Sequence, residues 1–240
     1  MMLAGFHAVE EAVRAEPRRV EWVLFDEARR DRRSGELKRL CRESGVAVRY
    51  GKAEGLDRLA RHHQGVVARL AEVAVAPVGD AFAGERGGRF LFVLDEVQDP
   101  HNVGAILRVA EAAGAGVVVH ERGSAPLSDT VARVSAGALS RVPIFRAGNL
   151  RRFLDEGRKA GFFAVGLDER GEDLYGVDLS GDLILVFGSE GKGLRRLVVE
   201  GCDVLARLPM AGKIASLNVS TAASAAAFEA VRQRRAGGRT

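Results

Sequence analysis

From Phe90 onward the chain alternates short, uninterrupted apolar runs with helix-length segments, and few folds accept that pattern. The runs are "FLFVLD" (90–95), "GVVV" (116–119), "VPIF" (142–145), "FFAVG" (162–166), "LILVF" (183–187) and "VLARLP" (204–209). A strand that is apolar on both sides must be covered on both faces, which parallel sheets achieve by making their crossovers helical. The segments between the runs predict helices at 102–113, near 128–140 and at 149–160, a short one beginning near Leu194, and a last one over 218–234. The expected fold is therefore α/β with a parallel sheet. In such sheets ligands sit at the carboxyl ends of the strands, so the loops that leave the strands hold the candidate residues.

The first 70 residues read as a smaller α/β unit. "HAVEEAVRA" predicts a short amphipathic helix, "VEWVLF" a strand, "SGELKRLCRESG" a helix ending at Gly45, and "VAVRY" and "GVVARL" two further strands. The stretch "AEVAVAPVGDAFAGERGGR" (71–89) shows no helical period, and its latter half reads as a linker. The expected organisation is a domain over 1–75, a linker over 76–88 and a second domain over 89–240.

Composition excludes several classes. Hydrophobic content of 47% and charged content of 28% are those of a soluble globular protein. Charges appear early (Glu10, Glu11, Arg14) without a signal-peptide apolar region, and no apolar run approaches the roughly 18 residues of a membrane span. Cys41 and Cys202 lie far apart and form no metal-ligand pattern, so they read as free thiols in a reducing cytoplasm. The five histidines (His7, His62, His63, His101, His120) form no ligand-spaced cluster, so no metal is expected. Net charge is only +4, but the 36 basic residues include just five lysines. Arginine suits phosphate recognition through its bidentate fork, although an arginine-rich surface can also be merely solvated. Local clusters stand at "RRDRR" (29–33), "RLARHH" (58–63) and "RQRR" (232–235).

Three loops carry polar residues in ligand-facing places. "LDEVQDPHNVGAILRVAEAAG" (94–114) leaves a strand and enters a helix near Asn102, which an asparagine could simply cap. Arg108 lies among Ile106, Leu107, Val109 and Ala110, where an i,i+3 pair with Glu111 is its ordinary role. "FGSEGKGL" (187–194) follows a strand and invites a phosphate-binding reading. The P-loop pattern fails, however, because Val186 stands in place of its first glycine and Gly193 in place of its Ser or Thr. The glycines still allow a ligand close to the main chain. The third loop opens "RLPMAGKIASLNVSTAASAAAFEAVRQR" (207–234), where Ser216, Asn218 and Ser220 precede or cap a helix. The small residues of "AASAAA" suit a tight helix–helix contact or a subunit interface.

Together, "DEVQDPHNVGAILRVAEAAG", "LVFGSEGKGL" and "LPMAGKIASLNVSTAASAAAFEAV" resemble, in order and spacing, the motifs of the SpoU (TrmH-type) family of RNA ribose 2′-O-methyltransferases, members of the knotted methyltransferase superfamily. "GFHAVEEAVRA" and "HHQGVVARL" are similar to the small RNA-binding domain, like ribosomal protein L-thirty-e, that precedes the catalytic domain in RlmB-type enzymes. The resemblance implies a deep trefoil knot at the C-terminus, a homodimer with the active site completed across the interface, and S-adenosylmethionine as cofactor. It implies that Gly188, Leu208, Met210 and Leu217 line the cofactor, and that Asn102, Arg108, Glu190, Ser216 and Asn218 serve catalysis. The expected substrate is large-subunit ribosomal RNA, with guanosine the expected base. Transfer RNA methylation and a non-catalytic RNA-binding or ribosome-assembly role are the alternatives. The family's proposal of the matching arginine as general base is physically awkward for Arg108, since arginine stays protonated in proteins. A phosphate clamp that stabilises a developing alkoxide suits it better.

Overall fold

The computed structural model describes residues 2–15, 17–71, 73–83, 90–214 and 216–237. The chain forms two compact units, Met1–Val73 and Ala74–Thr240.

In the first unit four strands, β1 (Met2–Ala4), β2 (Val20–Asp26), β3 (Val48–Gly51) and β4 (Val66–Leu70), form a sheet of order β1-β4-β2-β3. Only β2 and β3 are parallel. Helices α1 (Phe6–Ala15) and α2 (Arg32–Glu43) supply Phe6, Val9, Val13, Leu37 and Cys41 to a core shared with Val23 and Phe25. Strand β1 and helix α3 (Ala53–Leu59) lie outside the elements legible in the sequence. The strand is three residues long, and the helix buries only Leu56, so neither leaves a periodic pattern.

The second unit is a six-stranded sheet, parallel throughout: β5 (Phe90–Asp95), β6 (Gly116–His120), β7 (Ile144–Ala147), β8 (Phe163–Asp173), β9 (Leu183–Gly188) and β10 (Val204–Arg207), in the order β10-β8-β9-β5-β6-β7. Every residue of β5 is buried, as a central parallel strand requires. Its Leu91 and Val93 join Ile184 and Val186 in a core with α6 (Leu150–Lys159) and α7 (Arg196–Val199). The alternate residues Phe90 and Phe92 meet edge-to-face at 5.2 Å, and Phe92 meets Phe187 at 5.3 Å. Helix α4 (Pro100–Ala113) packs on α5 (Asp129–Val134) and on α8 (Val219–Ala236), which also crosses β9. Ala223, Ala226, Ala227 and Ala230 of α8 are all fully buried within this chain, while Phe228 is half exposed.

Three boundaries differ from expectation. The helix expected near 128–140 stops at Val134 and resumes as a 3-10 turn at Ala138–Ser140, because Ala136 and Gly137 take left-handed φ values of 49° and 85°. Strand β8 runs seven residues past Gly166, through charged positions. Pairing with edge strand β10 needs only backbone there, and a Cβ on Gly171 would lie 2.4 Å from the Ala206 nitrogen. Residues 76–83, at the start of the expected linker, bridge Phe145 through Ala76 and stack Phe82 on Phe153 at 4.8 Å. The remainder of that stretch, 84–88, lies outside the described residues.

Candidate active site

Helix α4 begins two residues before Asn102. Asp99 caps it, accepting from the His101 N–H at 2.9 Å, and Pro100 takes the first helical position, where a missing N–H costs nothing. Asn102 is thus not the cap. It lies inside the first turn, is only 5% exposed, and is free to use its side chain elsewhere. Its Nδ2 donates to Glu190 Oε1 at 2.8 Å.

Asn218 is the cap of α8. Its Oδ1 accepts from the backbone N–H groups of Ser220 and Thr221 and from the Ser220 hydroxyl. That role fixes which way the amide points, so Nδ2 faces the other two loops. It donates to Asn102 Oδ1 at 3.0 Å and to Glu190 Oε1 at 2.6 Å. Three side chains from three loops close a triangle, and its only charge is the Glu190 carboxylate.

Glu190 stands on a tight turn. Ser189 and Gly193 exchange backbone hydrogen bonds of 3.2 and 2.9 Å, and Gly191 and Gly193 take left-handed φ values of 77° and 66°. Gly188 at the foot of the turn admits no side chain, since a Cβ there would lie 2.3 Å from the Gly193 carbonyl carbon. The helix expected near Leu194 starts at Arg196 and is four residues long, so no helix terminus directly follows Lys192, as a P-loop would require.

Beside the triangle lies a cleft of about 1240 Å³. Gly188, Leu208, Met210 and Leu217, the four expected cofactor residues, all line it, together with Glu190, Ser216 and Asn218. Ser216 is exposed there. Ile214 and Leu217 are 61% and 36% exposed, unusual for large apolar side chains facing a concave wall. A flat heteroaromatic ring such as adenine would cover them, while the glycine turn offers backbone polar groups close by. The residues present therefore fit S-adenosylmethionine. Asp168 and Arg170, on the extension of β8, also line the cleft. Arg170 hydrogen-bonds Asp168 at 2.7 and 2.8 Å and holds its carboxyl below the ordinary value of 3.8.

Arg108 is not brought to the triangle. It is exposed on α4, six residues beyond Asn102, about 9 Å along the helix axis and roughly 120° around it. Its expected partner Glu111 pairs instead with Arg141 at 2.9 Å. Among the described residues no ion pair or hydrogen bond of the Arg108 side chain is found.

One contact was not foreseen. Asp95, fully buried at the end of β5, accepts from the Arg195 backbone N–H at 2.9 Å and from its Nε at 2.7 Å. An aspartate closing a buried strand at its ligand-facing end was the available signal, but its partner, 100 residues away, had none. Burial pushes the Cys41 thiol up to about 11 and the Cys202 thiol up to about 12, so neither is a thiolate nucleophile. Among the described residues no group of His, Cys, Asp and Glu side chains could hold a metal ion, and no helix is long and apolar enough to cross a membrane.

Comparison with known proteins gives this geometry its context. Residues 89–228 match the SpoU rRNA Methylase family, and residues 2–75 match a domain described as RNA 2′-O ribose methyltransferase substrate binding. The chain is 42% identical over 238 residues to the 23S rRNA (guanosine-2′-O-)-methyltransferase RlmB of Ralstonia nicotianae, covering 97% of this chain and 96% of that protein. Its fold is similar to the SpoU methyltransferase AviRb from Streptomyces viridochromogenes in complex with the cofactor AdoMet, with a TM-score of 0.71, 29% identity, and coverage of 99% of this chain and 91% of that one. A TrmH/SpoU tRNA modifying enzyme from A. aeolicus aligns at a TM-score of 0.57 and 28% identity, covering 67% of this chain and 82% of its own.

Proposed function

The chain belongs to the SpoU rRNA methylase family, and on that premise we propose that it methylates the ribose 2′-hydroxyl of a guanosine in 23S ribosomal RNA, with S-adenosylmethionine as methyl donor. The observation that carries the reading is the Asn102–Glu190–Asn218 triangle at the wall of a cleft built from the expected cofactor residues. The Ralstonia relative, similar over its full length, bears the name of this reaction. The coverage pattern favours ribosomal over transfer RNA, since the tRNA-modifying neighbour accounts for only 67% of this chain.

S-adenosylmethionine supplies a methyl group on a sulfonium centre that is already activated toward an oxygen nucleophile. The task left to the protein is chiefly alignment, which can supply much of the rate. Glu190 Oε1 is held by both asparagine amides, which leaves Oε2 to accept a hydrogen bond from the 2′-hydroxyl. Ser216, on the cleft wall, orients ribose or cofactor. Arg108 clamps the target phosphate and stabilises the developing alkoxide, a role suited to a permanently charged guanidinium.

Its distance from this chain's own triangle supports a homodimer in which Arg108 serves the partner's site, with Phe228 on α8 available to the contact. A C-terminal trefoil knot follows from the family reading, and it is compatible with a chain that leaves edge strand β10 and then packs α8 on β9 and α4. The domain over 1–75 is read as the RNA-binding part and that over 89–240 as the catalytic part. In the first domain, Arg29 of one basic cluster donates through Nη1 to the carbonyl of Gln64, next to the other cluster, and Arg30, Arg33, Arg58 and Arg61 are exposed. Free cysteines and a ribosomal substrate favour the cytoplasm.

The test is incubation with methyl-labelled S-adenosylmethionine and unmodified large-subunit ribosomal RNA, followed by nuclease mapping. Label on one guanosine 2′-oxygen is expected. Cofactor binding without transfer to any RNA or ribosomal particle would refute the reading. Transfer by a protein that sediments as a monomer would refute the shared site.

A further inference from the structure

We infer that Asp95 and Arg195 act as a positioning pair for methyl transfer, holding the glycine turn so that Glu190 stays within reach of Asn102 and Asn218. The inference rests on the reading of Glu190 as a residue of the transfer site. A turn containing Gly188, Gly191 and Gly193 has little intrinsic preference for one conformation. Glu190 nevertheless makes bonds of 2.6 and 2.8 Å, which demand a defined backbone.

The turn is fixed at its start by the β9 register, where Gly188 lies opposite Asp95. It is fixed at its waist by the Ser189–Gly193 bridge. At its exit Asp95 takes both the backbone N–H and the Nε of Arg195. The Arg195 guanidinium also reaches Glu96 at 3.0 Å, so both carboxylates at the end of β5 hold it. Glu96 itself takes a left-handed φ of 57°, which non-glycine residues adopt only where the surroundings impose it. The segment 95–102 thus carries Asn102 at one end and the anchor of the Glu190 turn at the other. One fully buried carboxylate sets the spacing between two corners of the triangle.

A merely structural pair would affect stability alone, so the test is a double-mutant cycle on the full-length protein. Asp95→Asn preserves volume and one acceptor, and is measured alone, with Glu190→Gln, and beside Glu190→Gln alone. Methyl transfer to ribosomal RNA and thermal unfolding are read for each. Misplacement of about 1 Å predicts that Asp95→Asn lowers kcat by about 10- to 100-fold, with KM for RNA unchanged. In the Glu190→Gln background it should cause no further loss. Multiplicative losses, or a full kcat in Asp95→Asn, would overturn the pair's positioning role. A full kcat in Glu190→Gln would instead remove the parent reading of Glu190.

Should Asp95→Asn fail to fold, Arg195→Gln serves in the same cycle. Arg195 is 40% exposed, and its backbone N–H still reaches Asp95. Arg195→Lys is expected to retain more of kcat than Arg195→Gln. The reverse order would overturn the role assigned to the charge.

Discussion

Asn218 does two jobs with the two ends of one amide, and a pair of substitutions separates them. Its Oδ1 caps α8, while its Nδ2 holds Glu190 and Asn102. Asn218→Ala removes both. Losing the cap costs about 1 kcal/mol. Losing the partner of buried Asn102 Oδ1 costs about 1 kcal/mol more. For a chain of this size that sum of about 2 kcal/mol lowers the melting temperature by about 4–8 °C. Asn218→Asp keeps an acceptor for the cap and adds a charge that a helix N-terminus favours by about 0.3–1 kcal/mol. It also sets a second carboxylate against Glu190 where a 2.6 Å hydrogen bond had been. Both variants should therefore lose methyl transfer at neutral pH; both also lose the donor to Asn102 Oδ1, and only the alanine variant lacks the cap as well, while the aspartate variant carries the carboxylate repulsion. A carboxylate pair prefers to share a proton, which raises one folded-state value above its unfolded one. By linkage, the aspartate variant is then most stable at low pH and loses that stability as pH rises through the raised value. The assay is initial rate and calorimetric melting of the wild type and both variants from acid to neutral pH. Wild-type kcat in Asn218→Asp at neutral pH would refute the claim that the amide donors organise the site.

Four further outcomes are expected. Gly188→Ala places a Cβ against the backbone of Gly193 and should destabilise the second unit by about 1–3 kcal/mol while abolishing calorimetric binding of S-adenosylmethionine. Arg108→Ala, exposed and without a side-chain partner among the described residues, should change stability by less than about 0.5 kcal/mol yet remove activity; near-full activity with an unchanged pH profile in Arg108→Lys would argue against both a base role and a need for the bidentate fork. Glu190→Gln keeps an acceptor for both amides, so KM for RNA and cofactor should hold while kcat falls, whereas Glu190→Ala should raise KM as well. Asp168 is depressed by its bonds to Arg170, so its contribution is present above the unfolded value of 3.8 and is lost as pH falls through the lower folded value. Urea denaturation of Asp168→Asn should show a deficit of at most about 1 kcal/mol at neutral pH that closes well below pH 3.8, since Arg170 is largely exposed.

The sheet was legible because a buried parallel strand reads as an apolar run, which β9 shows from Leu183 to Phe187 and β5 shows up to its last residue, Asp95. Much of the cleft lining was legible through motifs, because many of its residues cluster in the chain around Gly188 and around Leu208, Met210 and Leu217, whereas residues 167–170 were not legible. What escaped was anything carried by backbone or by distant pairing. The extension of β8 is charged, and only the backbone of β10 explains it as strand. Asn102 looked like a cap because a helix start was visible but its register was not. The Asp-Pro pair that moved the start two residues earlier is what freed its side chain. The partners Glu111–Arg141 and Asp95–Arg195 are joined only by the fold, so no spacing rule reaches them.

The fate of the carboxylates around the turn explains why the site is built from amides. Asp95 is committed to Arg195 and Asp168 to Arg170, so each is neutralised by a cation and spent on holding backbone in place. Glu190 alone of the three is held by neutral donors, and both of them bond the same oxygen. A guanidinium in their place would neutralise the carboxylate and weaken its attraction for a hydroxyl proton. Asparagines orient it without cancelling its charge. On the proposed reading, a weakly acidic substrate hydroxyl that sheds its proton during or after attack would meet in Glu190 a carboxylate of that kind. On the same proposed reading Arg108 has no need to lose a proton, and its permanent charge is free to act on the phosphate and the developing oxyanion instead.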